Sequence, residues 1–449
     1  MTHAKIDRAS GTDLVNLAVD VGPVPMQAGA CLILDTKPGF DVALAQRLIA
    51  QRVQAIPRLR HRLVPTPVGG GRPIWIEDPS FDIDHHLRVT RCPPPGDQNT
   101  LLDLATQMLS QPLPASRPLW SMRLVTGLPD HQIALIACFH HVLTDGMGGL
   151  AILAGLADGV TPPPPPDSFP QRLPPYRRLA SDAWAARLRA LARAPRTWQY
   201  VRRAVTDLRA LPRAARSSLN RPTGPHQRVA VVTAPLQEVR RTAHAHGGTV
   251  NDAVLTAVTG AIRALLHSRE ETLPALVVSI PVSARPLATI AQLGNQVGVL
   301  PISLPTAGTL AHRLERTAAI TRAGKAAART GASAELVASV NRISARLHTL
   351  RWMLNHQRLI HTVVSNLRGP EQPLTLAGAT IRTLIPISLV RGNVTIAFTV
   401  LSYADALTVT IAADATHVPD LPILIAALEA EFAAMREHPS TDPTGNPIG

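Results

Sequence analysis

The chain has 449 residues, with 45 Lys and Arg against 31 Asp and Glu, and a formal net charge of +14. Hydrophobic residues make up 45% and charged residues 17%, which excludes a disordered chain and supplies ample apolar material for a packed core. At roughly 150 residues per domain, the length predicts two or three domains.

Cysteine content and hydropathy exclude further classes. The three cysteines Cys31, Cys92 and Cys138 form no close pair, so we predict neither a disulfide framework nor a thiolate zinc site. No apolar run reaches the ~18 residues of a spanning helix. The first residues lack the apolar core of a secretory signal, so we expect a cytoplasmic protein.

Apolar periodicity predicts strands mixed with helices along the whole chain. The first half shows strands at 27–34 and 133–139, with helices at 40–54 and 99–109. The second half shows strands at 229–232, 275–281, 297–304, 362–366, 394–402 and 406–412, with helices at 250–266, 310–328 and 334–350. This mixture predicts a layered α/β or α+β fold.

Between the halves lies a proline-rich and arginine-rich segment. Residues 162–166 are consecutive prolines, which mark a domain edge. Residues 172–221 hold 13 arginines and two aspartates, a net +11, around two predicted amphipathic helices. We therefore predict an N-terminal half at 1–160, a helical connector at 161–224 and a C-terminal half at 225–449.

The arginines of this connector leave two interpretations open. They are either a solvated connector whose apolar stripes pack on its own domains, or a surface that docks on anionic lipid. Nucleic acid is disfavoured as a partner, because aromatic residues for base stacking make up only 3% of the chain.

The strongest chemical signal is the heptapeptide from His140 to Gly146, which follows an apolar strand and precedes a glycine-containing turn. Imidazole accepts a proton near neutrality, and His141 is our predicted general base. Asp145 either accepts from that imidazole or anchors the loop by pairing with an arginine. A metal site is disfavoured, because neither a further ligand at a suitable spacing nor a zincin pattern is present.

No Gly-x-Ser-x-Gly elbow is present, and none of the cysteines has a recognisable catalytic setting. The base is therefore expected to activate the hydroxyl of the substrate itself. This predicts direct acyl transfer without a covalent acyl-enzyme.

The heptapeptide resembles the active-site motif of the bacterial wax ester synthase/diacylglycerol acyltransferases, in the superfamily of CoA-dependent acyltransferases. Further blocks resemble this family in order along nearly the entire chain as far as Asp420, at 72–82, 117–120, 249–255, 281–285, 294–296, 365–370 and 402–403. Two departures stand out. Leu367 and Arg368 replace a frequent Val-Pro, and the opening stretch from Asp13 to Asn16 lacks the usual aromatic residue.

The resemblance implies two chloramphenicol-acetyltransferase-like halves with a central tunnel between them. It casts His141 as base and Asp145 as its orienter, paired with Arg285, within the motif from His140 to Gly146. The remaining residues that it singles out serve the oxyanion or structural support at Asn251, Asp252 and Asn295, and packing or tunnel lining at Pro118, Leu119 and Trp120.

The implied reaction joins acyl-CoA, a substrate rather than a cofactor, to diacylglycerol or a long-chain alcohol. No cofactor and no metal are expected. The expected location is the inner face of the membrane or a lipid-droplet surface, with the protein bound peripherally. Alternatives are a superfamily acyltransferase with another thioester donor or a non-lipid acceptor, and a lipid-surface protein without catalysis. The lack of a fused carrier domain within these residues favours CoA as the donor.

Overall fold

The computed structural model describes residues 6–159, 173–192, 213–283, 297–328 and 350–437. The described residues form two six-stranded mixed sheets, a two-stranded ribbon and helices that cover the sheet faces. The predicted α/β fold is confirmed. The predicted helix at 334–350 lies outside the described residues except for its last residue.

The elements of the first half follow one another closely along the chain. In chain order they are α1 (Gly11–Val19), β1 (Gln27–Asp35), α2 (Val42–Gln54), β2 (His61–Val64), β3 (Ile74–Glu77), β4 (Leu87–Arg91), α3 (Gln98–Ser110), β5 (Trp120–Thr126), β6 (Gln132–His140), α4 (Gly146–Gly155) and α5 (Tyr176–Ala192). The predicted strands at 27–34 and 133–139 are β1 and β6. Strands β2 to β5 were not predicted, because their short runs mix apolar with charged residues.

The second half begins with a strand and ends with a long helix. In chain order its elements are β7 (Gln227–Pro235), α6 (Leu236–Ala245), α7 (Val250–Ser268), β8 (Ala275–Ser283), β9 (Val297–Pro305), α8 (Leu310–Ala328), α9 (Leu350–His356), β10 (Thr362–Arg368), β11 (Thr375–Leu376), β12 (Ala379–Ser388), β13 (Ile396–Tyr403), β14 (Ala406–Asp414) and α10 (Leu421–Glu437). The predicted helix at 310–328 is α8.

The first sheet has the strand order β11-β12-β1-β6-β5-β4. Only β4 and β5 run parallel, and β6 pairs antiparallel with both β1 and β5. Every residue of β6 after Gln132 is buried, since α2 and α4 pack on one face of the sheet and α3 packs on the other. A strand covered on both faces reads as a continuous apolar run, and this run made β6 predictable.

The second sheet has the order β7-β14-β13-β10-β8-β9, with β10 parallel to both β13 and β8. Four helices, α6, α7, α8 and α10, share its main core. Helix α7 is buried on nearly all sides, which its mostly apolar sequence allows. The second sheet therefore provides a rigid base for the residues at the start of α7.

The second half contributes one hairpin to the sheet of the first half. Strands β11 and β12 follow β10 in the chain, yet β12 pairs with β1 along Ala28 to Asp35 and completes the first sheet. Helix α3 of the first half also packs near Val229 and Val231 of β7. The predicted domain limits at 160 and 225 stay a prediction, because residues 160–172 and 193–212 lie outside the described residues.

Within the described ranges, no single helix is both long and apolar enough to cross a membrane. Helices α6 and α7 meet the length and composition of a span only as a pair, with a bend of 95° between them.

Candidate active site

The predicted motif forms a tight turn between β6 and α4. His140 is the last residue of β6, and Asp145 caps α4 by accepting a hydrogen bond at Oδ1 from the Gly148 N–H over 2.8 Å. A Cβ at Gly148 would lie 2.1 Å from Thr144 Oγ1, so no larger residue fits there without displacing the threonine. The cap and this close approach hold the turn in one shape.

His140 is a structural member of this turn. Its Nδ1 accepts the Val142 N–H over 3.0 Å, so Nε2 carries the proton and donates it to Asp20 Oδ2, also over 3.0 Å. Both ring nitrogens are engaged, and the side chain is buried. This histidine is therefore poorly placed to take a proton from a substrate.

His141 is the next residue and has a different environment. An imidazole N–H is directed at the backbone carbonyl of Thr144, which leaves the other ring nitrogen as the lone-pair acceptor of the neutral tautomer. Burial, then the charge of Arg391 and the neighbouring His140, lower the pKa of His141 to about 3. The imidazole is thus unprotonated at neutral pH, which is the state a general base requires.

The start of α7 places two further predicted residues. Asp252 is buried, and its Oδ2 accepts the Thr249 N–H and Oγ1–H, while its Oδ1 accepts the Thr321 hydroxyl. This capping box uses both carboxylate oxygens for architecture. Its neighbour Asn251 differs, since its buried Nδ2 has no hydrogen-bond partner among the described residues.

A chain of contacts leads from Asn251 to the motif turn. Asn366 on β10 donates to Asn251 Oδ1 over 3.3 Å. The next residue, Leu367, lies so close to Gly146 that a Cβ on that glycine would be 3.1 Å from a leucine methyl group. Strand β10 thus brings the apolar side chain of Leu367 to the motif of the first half and, through Asn366, connects it to the amide of Asn251 on α7. Leu367 is also one of the positions that depart from the family pattern.

The block Pro118-Leu119-Trp120 packs behind the motif. The Leu119 carbonyl accepts the His140 N–H over 3.0 Å, and the Trp120 indole N–H donates to the Leu59 carbonyl over 2.6 Å. Trp120 is fully buried and stacks on His86 with ring centroids 4.5 Å apart. These contacts support the end of β6. The tunnel that this block was expected to line stays a prediction.

Two predicted residues, Arg285 and Asn295, lie outside the described residues, and so does the expected pairing of Arg285 with Asp145. Among the described side chains, no group of three His, Cys, Asp or Glu residues is arranged to hold a metal ion. The expectation of a reaction without cofactor or metal stays a prediction.

Three side chains beside the motif were not predicted as part of the site. Asn16 Nδ2 donates to the His141 carbonyl over 3.0 Å, and Asp20 accepts from His140. Arg391 carries a charge that adds to burial in lowering the pKa of His141. The one hint in the sequence was general, since the stretch from Asp13 to Asn16 lacks the aromatic residue usual in the family.

Comparison with known families identifies the chain. A sequence profile described as the wax ester synthase/diacylglycerol acyltransferase catalytic domain matches residues 10–254, and the profile of the C-terminal domain of the same family matches residues 293–436. A Mycobacterium tuberculosis protein named as a diacylglycerol O-acyltransferase is 31% identical over 92% of this chain and 93% of its own length.

Solved structures agree on the fold. The wax ester synthase/diacylglycerol acyltransferase from Marinobacter aquaeolei VT8 has a TM-score of 0.70 and 23% identity over 96% of this chain and 99% of its own. The starter condensation domain of rhizomide synthetase, in complex with C8-CoA and Leu-SNAC, has a TM-score of 0.62 and 17% identity over 96% and 94%. These likenesses confirm the chloramphenicol-acetyltransferase-like fold. On the strength of the two profiles and the curated relative, the chain belongs to the wax ester synthase/diacylglycerol acyltransferase family and is an acyltransferase.

Proposed function

We propose that this protein transfers a long-chain acyl group from acyl-CoA to the hydroxyl of diacylglycerol, of a long-chain alcohol, or of both. The observation that carries the proposal is the buried motif turn with its neutral His141, in a chain of this family. The relatives named as diacylglycerol O-acyltransferases support the acceptor class.

In the proposed mechanism His141 is the general base. Its unprotonated ring nitrogen takes the proton of the acceptor hydroxyl while that oxygen attacks the thioester carbonyl. The tetrahedral intermediate then collapses, the C–S bond breaks, and the imidazolium returns the proton to the sulfur, so that CoA leaves as a thiol. No bond between the acyl group and the protein forms at any stage.

The oxyanion of this intermediate needs preorganised donors. We assign Asn251 Nδ2 to this role, because it is a buried amide N–H group without a partner among the described residues. An unsatisfied buried donor costs about 1–3 kcal/mol, and such a cost is expected where a ligand completes the bond. Asn295, the other candidate from the sequence, lies outside the described residues.

Asp145 and His140 hold the turn in this mechanism rather than moving protons. Asp145 caps α4, and His140 uses both ring nitrogens within the protein. Asp252 lies in the first turn of α7 and accepts the backbone N–H of the cap residue Thr249, so it too holds a helix start. The proposed base His141 thus follows His140, and the proposed oxyanion donor Asn251 precedes Asp252, so each is next to a residue that holds the backbone.

The donor in this proposal is acyl-CoA. The rhizomide synthetase condensation domain, which shares the fold, is described in complex with C8-CoA, and this supports a CoA thioester as ligand. The alternative left open by the sequence is a second candidate, in which the thioester is carried by a protein. The two candidates differ only in the carrier of the acyl group, so a competition experiment separates them.

We also propose that the protein docks peripherally on an anionic membrane or lipid droplet through α5. One side of α5 packs on the first half through Leu179 and Ala183. Another side carries Trp184 and Leu188, both 60% exposed, with exposed Arg187 and Arg189 beside them. An exposed apolar pair with basic neighbours favours lipid docking over packing on the domains of the protein itself.

The acceptor is tested by separating the products of radiolabelled palmitoyl-CoA offered diacylglycerol and hexadecanol together. We expect labelled triacylglycerol, wax ester or both, and no labelled ester with His141→Ala. Thiol release without ester, or equal ester formation by that variant, contradicts the proposal. Excess unlabelled acyl carrier protein thioester reduces the label in the ester only if it competes as donor.

Lipid docking has its own test. Replacement of Arg187 and Arg189 by Gln is expected to weaken binding to phosphatidylglycerol vesicles, with a smaller dependence on salt than the unmodified protein shows. Replacement of Arg316 and Lys325 by Gln, at two exposed positions on α8, is the control matched in charge. Equal vesicle binding by both variants contradicts docking through α5.

A further inference from the structure

The backbone of His141 is held from one side by the segment between α1 and β1. Its N–H donates to the Met26 carbonyl over 2.9 Å, which extends the β1–β6 ladder by one residue beyond the Gln27–His140 pair. Its carbonyl accepts Asn16 Nδ2 over 3.0 Å. Both polar backbone groups of the proposed base are therefore fixed by residues 16–26.

Asp20 locks the same segment onto the turn. Its Oδ1 accepts the Met26 N–H over 2.6 Å, and its Oδ2 accepts the His140 Nε2–H. Burial opposes ionisation of Asp20, but the bonds from His140 and Met26, with the nearby Arg391, lower its pKa below the usual value. The carboxylate thus stays charged and keeps its strong hydrogen bonds at neutral pH.

Arg391 reaches this cluster from the loop after β12 and contacts the Met26 sulfur. The loop is hydrogen-bonded on both sides of the arginine: Val390 N–H donates to Gln227 Oε1 over 3.2 Å, and Thr223 N–H donates to the Gly392 carbonyl over 2.8 Å. The contacts that hold the turn at His141, made by Asn16, Asp20 and Met26, are therefore supported through Arg391 by residues far from the motif in sequence.

Asn16 bonds directly to the carbonyl group of His141. It is 6% exposed and belongs to the stretch from Asp13 to Asn16, which lacks the aromatic residue usual in the family. Its carboxamide N–H2 group has two N–H donors, whereas a leucine side chain of similar size has none. The hydrogen bond to the His141 carbonyl therefore depends on the carboxamide.

We propose that Asn16 is a positioning residue of the acyl transfer, whose carboxamide holds the His141 backbone so that the imidazole points at the acceptor hydroxyl. The proposal rests on the proposed role of His141 as base. A small displacement of a general base lowers the rate of proton transfer. The hydrogen bond from Asn16 to the His141 carbonyl is therefore expected to contribute to kcat.

The test compares Asn16→Leu, which keeps the volume and removes the donor, with the unmodified enzyme in the palmitoyl-CoA assay. We expect kcat to fall about tenfold, with KM for palmitoyl-CoA changed by less than about twofold. Thr242→Val is the matched control, since it removes a buried 2.7 Å bond to the Met435 carbonyl in the second half. The control should lose stability and keep its kcat.

A purely structural role for Asn16 would lower the unfolding midpoint of Asn16→Leu as in the control and leave kcat unchanged, which would overturn the proposal. The double variant with His141→Ala gives a second criterion. If Asn16 acts through His141, adding Asn16→Leu to His141→Ala causes no further loss, whereas an additional tenfold loss contradicts the proposal. Should His141→Ala itself retain full activity, the proposed function fails, independently of the Asn16→Leu result.

Discussion

At the starts of both α4 and α7, an aspartate side chain accepts a backbone N–H group of the helix start, and a second polar side chain of interest lies nearby. Each has an aspartate that caps the helix: Asp145 accepts the Gly148 N–H, and Asp252 accepts at the Thr249 backbone. Near each aspartate lies a polar group with a different environment, His141 in the first half and Asn251 in the second. In both halves the aspartate holds the backbone at the helix start, and in our proposal the neighbouring imidazole and amide carry the chemistry.

The largest effect is expected from the imidazole. Replacing His141 by Ala should lower kcat by roughly 10²- to 10⁴-fold, the usual contribution of a general base. The unfolding midpoint should stay close to that of the unmodified enzyme, because the backbone bonds to Met26 and Asn16 do not involve the side chain. A loss of kcat of less than tenfold would place the base elsewhere.

The second effect concerns the amide of α7. Asn251→Ala should lower kcat by roughly 10²- to 10³-fold, as removal of an oxyanion donor does, with little change in the KM for acyl-CoA. The measurement is steady-state kinetics with the acceptor held in excess. If the same change raised the KM and left kcat intact, Asn251 would serve ground-state binding instead.

Acid should weaken the first half more than the second. Burial is the main cause that lowers the pKa of four histidines below the usual 6.5. The pKa falls to about 4 for His61 and to about 3 for His141, and it is also lowered for His86 and His361. Three of the four lie in the first half. The unfolded chain binds these protons from about pH 6.5 downward and the folded chain resists them, so stability is lost as pH falls below 6.5.

For His61 and His141, this loss is expected to reach at most about 1.4 kcal/mol per pH unit each. Urea unfolding at pH 7 and pH 5 measures it, and amide exchange locates it. A free energy of unfolding that is equal at both pH values, or exchange that accelerates first around His361, would contradict the assignment.

The smallest effect tests the cap of α7. Asp252→Asn should cost about 1 kcal/mol of stability, because the amide cannot accept at both oxygens. The change in urea midpoint at constant slope measures this cost. If kcat per folded molecule fell as far as in Asn251→Ala, the division between cap and chemistry at α7 would be wrong.

Much of the fold was predictable because it rests on continuous apolar runs. Strand β6 and helix α8 were predicted within one residue of their limits, since one is covered on both faces and the other has a helical repeat. Strand β12 was missed, and with it the position of Arg391. Its pairing with β1 joins residues some 350 positions apart, and no local pattern encodes such a partner.

The candidate site was predictable only where a motif marked it. The turn from His140 to Gly146 carries its chemistry within seven residues, so residue type and spacing identify it. The residues that position His141 act through single hydrogen bonds from other elements, as Asn16 and Asp20 do. An asparagine near the start of a chain has many uses, and only the folded contact distinguishes this one.

Direct transfer by His141 without an acyl-enzyme is tested by mixing enzyme with radiolabelled palmitoyl-CoA and following thiol release and the intact mass of the protein. We expect no burst of thiol and no added acyl mass until an acceptor alcohol is present, and then ester formation that His141→Ala abolishes. A stoichiometric burst of thiol with a palmitoyl group on the protein, in the absence of acceptor, would contradict it.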